Sequence, residues 1–123
     1  MLFRSGDRKQ AFEQAVHFAE KAYELDPSDA GVNGLLGWLD VFRRRYDEAL
    51  AHGRRAVELG PGDGNVLAEY AWIFGYAGRP EEAIPLIQKA MRLSPYYPAW
   101  FAGVLGWAYM HTGDYPKIGR AHV

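Results

Sequence analysis

Residues 13–27, EQAVHFAEKAYELDP, return in altered form as 47–61, DEALAHGRRAVELGP, and again as 81–95, EEAIPLIQKAMRLSP. Ala15, Ala49 and Ala83 lie 34 residues apart, as do Ala22, Ala56 and Ala90, and Pro27, Pro61 and Pro95. A fixed period of this length marks a repeat architecture, in which one supersecondary unit stacks on the next. Within each unit the alanines are seven residues apart, two helical turns along one face. A small side chain there lets a neighbouring helix approach closely. The closing proline cannot continue a helix and pushes its predecessor out of the α region, so each unit ends sharply.

Between these helices lie DAGVNGLLGWLDVFRRR (29–45), DGNVLAEYAWIFGYAGR (63–79) and AWFAGVLGWAYMHTGD (99–114). Each carries apolar residues at a period of about 3.6, and Gly78 and Gly113 read as C-terminal stops. Sustained two-residue alternation is missing, so the pattern predicts an all-α chain. With B and A denoting the two helix types, the layout predicts a B helix over 7–25, A–B pairs over 29–59 and 63–93, and a partial pair over 98–117. Pro80 suits a first helical turn, and Pro85 removes one backbone bond inside its helix.

The alanine and proline sets, the pairs Leu36-Gly37 and Leu105-Gly106, and Gly113-Asp114-Tyr115 resemble the tetratricopeptide repeat. The resemblance covers residues 7–117 and implies a right-handed α-solenoid of antiparallel helix pairs, about three units truncated at both ends. Tyr70-Ala71 departs from it by replacing Leu-Gly, and the Pro95–Trp100 connection is one residue longer than the others. More loosely, PYYPAW, LGWAY and TGDY resemble the repeat region C-terminal to bacterial nucleotide-cyclase domains. The first unit begins with its B helix, and Ile118 stands where the repeat calls for alanine. Residues 118–123, IGRAHV, resemble a translated sequencing adapter and are expected to be non-native. Uncapped ends would expose apolar surface and offer a route to end-to-end self-association.

Composition narrows the function. Of 123 residues, 49% are apolar and 24% charged, which suits a folded soluble chain. The net charge of −1 argues against nucleic-acid binding and against an anionic membrane surface. Cysteine is absent, which excludes thiolate metal sites and nucleophiles and fits a reducing, cytoplasmic location. The N-terminus lacks the apolar core of a signal peptide, and no window approaches the ~18 apolar residues of a membrane span. His17, His52, His111 and His122 have no metal-ligand spacing, so neither a metal nor another cofactor is expected. The acidic pairs Asp47-Glu48 and Glu81-Glu82 open helices, where the helix dipole explains them. Arg43-Arg44-Arg45 at a helix end has the same explanation, and no catalytic constellation is visible.

Trp38, Trp72 and Trp107 occupy one slot of successive A helices once the inserted residue is counted. In tetratricopeptide repeats that slot faces the concave groove, which implies a row of indoles there. Phe42, Tyr76 and His111 follow one turn on, and Gly34, Ala68 and Gly103 precede by one turn. The row admits two readings: a peptide-binding groove with apolar anchors, or indoles that pack between repeats and tighten the superhelix. The matching slots lack the Lys/Asn set with which chaperone-binding relatives clamp a C-terminal carboxylate. Gly31, Gly34 and Gly37, with Gly103 and Gly106, point to close helix approach or a smooth floor for a ligand backbone. The expected activity is therefore a non-enzymatic scaffold for a protein or peptide partner. The alternative is a regulatory fragment of a larger signalling enzyme such as a nucleotide cyclase.

Overall fold

In the computed structural model, residues 5–112 are described, and they form six helices. These are α1 (Ser5–Leu25), α2 (Ala30–Phe42), α3 (Tyr46–Leu59), α4 (Gly64–Tyr76), α5 (Pro80–Leu93) and α6 (Ala99–Thr112). The second helix predicted in the last pair, and the tail from Ile118, lie outside the described residues.

The helices stack in two layers. The backbones of α2 and α4, and of α4 and α6, pack together, while α1, α3 and α5 pack their backbones against the neighbours in sequence; α3 reaches α1 and α5 through side chains, at Tyr23–His52 and Arg54–Glu82. The A helices thus form a continuous inner layer and the B helices an outer one. This is an all-α repeat solenoid, and it agrees with the tetratricopeptide resemblance at the level of helix-pair stacking. The alanine beat explains the spacing. Ala49, Ala56, Ala83 and Ala90 are fully buried at helix contacts. Ala15 is exposed, because no helix among the described residues precedes α1 to cover it.

Local chemistry sets the helix ends. The Asp29 carboxylate accepts from the Val32 amide at 2.9 Å, and Asp63 accepts from the Asn65 and Val66 amides, which caps α2 and α4. α3 and α5 have no side-chain cap and instead carry Asp47, Glu48, Glu81 and Glu82 in their first turns. At the C-termini of α2 and α4 the chain closes identically. Arg45 N–H donates to the Asp40 carbonyl and Arg79 N–H to the Phe74 carbonyl, each at 2.8 Å. Both closures are Schellman motifs that require a left-handed residue. Gly78 supplies it in one (φ 87°) and Arg44 in the other (φ 59°).

The A–A contacts are keyed by glycine. Tyr70 lies over Gly34 so closely that a Cβ there would collide with the ring, and its hydroxyl donates to the Ala30 carbonyl at 2.6 Å. Tyr70 thus fills the Leu slot because Gly34 makes room. Burial pushes the Tyr70 phenol up to about 12. Gly37 faces Ile73 less tightly, an added Cβ lying 3.1 Å from the Ile73 Cδ1. At Gly103 and Gly106 no described residue lies within 4 Å of an added Cβ. Gly37, the equivalent of Gly106, meets Ile73 of the next A helix and Ala49 and His52 of the next B helix, and α6 is the last helix described.

At the lengthened turn, the rings of Tyr97 and Trp100 lie against Phe101 with centroids 5.9 and 4.6 Å away. Phe101 is fully buried, so these two aromatics close the core where the insertion falls.

Candidate functional site

Trp38, Trp72 and Trp107 come from α2, α4 and α6, one from each helix of the inner layer. All three are half-buried. The ring one turn later lies against each indole: Phe42 stacks on Trp38 at 6.2 Å and Tyr76 on Trp72 at 5.4 Å, and His111 is tilted over Trp107 at 3.9 Å. This follows from helical geometry, since residues four apart share a face. His111 is held in place by a 2.8 Å hydrogen bond between its Nδ1 and the Trp107 carbonyl.

The pairs join across repeats. Tyr76 contacts Trp38 at 5.8 Å and Trp107 at 5.0 Å, and Trp72 contacts Trp107 at 5.8 Å. Phe12 of α1 adds an edge contact with Phe42 at 6.4 Å. All six aromatic residues expected in the row therefore form one continuous band. Phe42 is 68% exposed and Tyr76 48%, so the band is a surface rather than a core. The three indole N–H groups have no hydrogen-bond partner among the described residues, yet none is a buried orphan.

One position differs between the two A–A steps. Trp107 lies directly over Gly75, where a Cβ would collide with the indole. One repeat earlier the same position is Val41. There an opening of about 280 Å³ is lined by Trp38, Val41, Phe42, Trp72 and Tyr76. Its walls carry no charged side chain. Of the residues one turn before the indoles, Gly103 is exposed but the other two are not. Gly34 and Ala68 are buried in the A–A contacts, and Leu35 and Glu69 are exposed instead.

A second feature escaped the sequence reading. Asp40 is 3% exposed and binds Arg43 Nη2 through Oδ1 and His52 Nδ1 through Oδ2, each at 2.8 Å. The His52 ring meets Tyr23 of α1 at 6.1 Å, so this cluster ties α1, α2 and α3 together. Only the i, i+3 spacing of Asp40 and Arg43 hinted at it. Among the described residues, no group of three or more His, Asp or Glu converges as a metal site, and no helix is long and apolar enough to cross a membrane.

No protein-family model matches the chain, and no curated protein matches it significantly. Solved structures do. A MamA structure from MSR-1 shares 22% identity and a TM-score of 0.66, over 94% of this chain and 68% of that one. A MamA structure from AMB-1 gives 21% identity and a TM-score of 0.71, over 94% and 67%. Another MamA structure gives 15% identity and a TM-score of 0.62, over 98% and 92%. The chain thus spans about two thirds of the first two. At this identity the likeness shows the fold: a stack of helical repeats.

Proposed function

We propose that the chain is a non-catalytic interaction scaffold of tetratricopeptide type whose inner face holds a peptide segment of a protein partner. The carrying observation is the continuous band of Trp38, Phe42, Trp72, Tyr76, Trp107 and His111, half-open to solvent, with three indole donors that have no partner among the described residues. Clustered aromatics of this kind anchor peptides, and truncating one such anchor typically costs about 2 kcal/mol or more of binding, roughly thirtyfold.

Selection from a random peptide library tests the reading. Wild-type protein enriches a peptide set, and Trp38→Ala with Trp72→Ala fails to enrich it while helical circular dichroism persists. Enrichment of the same peptides by the double variant would place binding elsewhere. End-to-end self-association is the second expectation, supported by Phe18 and Leu25 of α1, which are 64% and 80% exposed. Sedimentation velocity that stays monomeric at high concentration would remove it. The reading as a regulatory array of a nucleotide cyclase rests on the wording of residues 95–115 alone, PYYPAW, LGWAY and TGDY.

A further inference from the structure

We infer that the outer layer carries a second docking site, between α3 and α5, for a segment of a partner protein that inserts an aromatic side chain with a lysine or arginine next to it. The site shares no residue with the inner aromatic band and does not depend on it.

The opening arises from a difference between successive repeats. In the 34-residue register, Val57 of α3 takes the place of Tyr23, and Leu86 of α5 that of His52. In the preceding step the rings of Tyr23 and His52 meet between α1 and α3 with centroids 6.1 Å apart, and the buried Asp40 holds His52. Phe74 stands in the place of Asp40. Around these positions lies an opening of about 490 Å³ with Val57, Phe74, Pro85 and Leu86 as its apolar walls. Two aliphatic side chains thus leave open what two rings occupy one step earlier, and the residue behind them has changed from carboxylate to phenyl. An aromatic side chain suits that space, and Phe74 offers it a ring to pack against. The volume falls within the ~300–1,000 Å³ of ligand pockets.

Charge names the neighbour of the inserted ring. Arg54, Glu58, Glu81 and Glu82 complete the lining, three carboxylates against one guanidinium. Arg54 is already committed. It donates to both Glu82 oxygens, at 2.9 and 3.1 Å, and stands over the Phe74 ring at 5.9 Å. Glu58 and Glu81 are left with Arg55 at 3.3 Å and Arg79 at 3.8 Å, contacts between exposed side chains that hold little energy. Both carboxylates are therefore free to turn to a cation that the occupant brings, whereas they repel an anion. Arg54, Glu58, Glu81 and Pro85 are all exposed, which favours a chain segment over a small molecule. So open a rim leaves a free ligand largely in water, while a side chain tethered to a segment gains contacts on both flanks.

Three labelled peptides of equal length test the assignment by fluorescence anisotropy with the full chain. One carries phenylalanine followed by arginine; the second has alanine for the phenylalanine; the third has glutamate for the arginine. The first is expected to bind, and the other two at least tenfold more weakly. Val57→Tyr, which restores the ring of the preceding step, should weaken the first peptide tenfold or more with helical circular dichroism retained. Glu58→Lys with Glu81→Lys, both at exposed positions, should weaken the first peptide to the same degree and strengthen the third. Binding of the first peptide that is unchanged in both of these variants would overturn the site. Binding that survives both but is lost in Trp38→Ala with Trp72→Ala would overturn it and place the peptide on the inner band. Phenethylamine binding as tightly as the first peptide would overturn the assignment to a protein segment. Failure of all three peptides would overturn the assignment, while the library selection judges the inner band separately.

Discussion

Arg44 holds the position that Gly78 holds one repeat later, and both have positive φ. An L-residue in that conformation costs about 1–2 kcal/mol, whereas glycine adopts it freely. Arg44→Gly should therefore raise stability by about 1 kcal/mol, read as a higher urea midpoint at unchanged slope. Tyr70 presents the opposite case, a bulky residue admitted by a neighbouring glycine. Tyr70→Phe removes the hydrogen bond to the Ala30 carbonyl, which keeps its helical partner, and should cost about 0.5–1.5 kcal/mol. The raised phenol also carries a pH signature. Its folded value of about 12 exceeds the ordinary 10, so the stabilisation is complete below about pH 10 and is lost as pH rises toward 12. Stability of the wild type should fall more steeply over that window than that of Tyr70→Phe, as measured by chemical denaturation at each pH.

Among the elements, α5 carries the clearest local conflict. The helix continues through Pro85, which is exposed and lacks the N–H for the bond to the preceding turn. Pro85→Ala should stabilise by about 1–2 kcal/mol, the helix-interior penalty less the entropy that proline removes from the unfolded chain. An unchanged thermal midpoint would show that the helix has already relaxed around the proline. α2 depends on its cap, since the Asp29 carboxylate accepts from the Val32 amide in its first turn. Asp29→Ala should lower stability by about 1 kcal/mol, seen in the same denaturation experiment. These element ends were largely legible in the sequence. Aspartate before an apolar run and proline at position one are local signals, and their chemistry needs no distant partner. The left-handed Arg44 was not legible, because arginine carries no turn signal and the constraint comes from the closure of α2 onto the next helix.

At the scale of the whole molecule, the aromatic band makes the three A helices act as one surface. Its rings touch across repeats, so loss of Trp38 and Trp72 together should abolish peptide capture while most far-UV ellipticity remains. The all-α repeat class followed from the sequence by itself. A 34-residue beat of alanine and proline records contacts made again and again between identical neighbours, and repetition makes such contacts visible along one chain. The one-slot alignment of the three tryptophans followed from the same beat. What only the tertiary structure decided were contacts made once. Gly75 admits Trp107 while Val41 leaves an opening beside Trp72, and Asp40 finds His52 twelve residues away. Such pairings depend on where two helices come to rest, and a residue's own identity and spacing do not encode the partner opposite it.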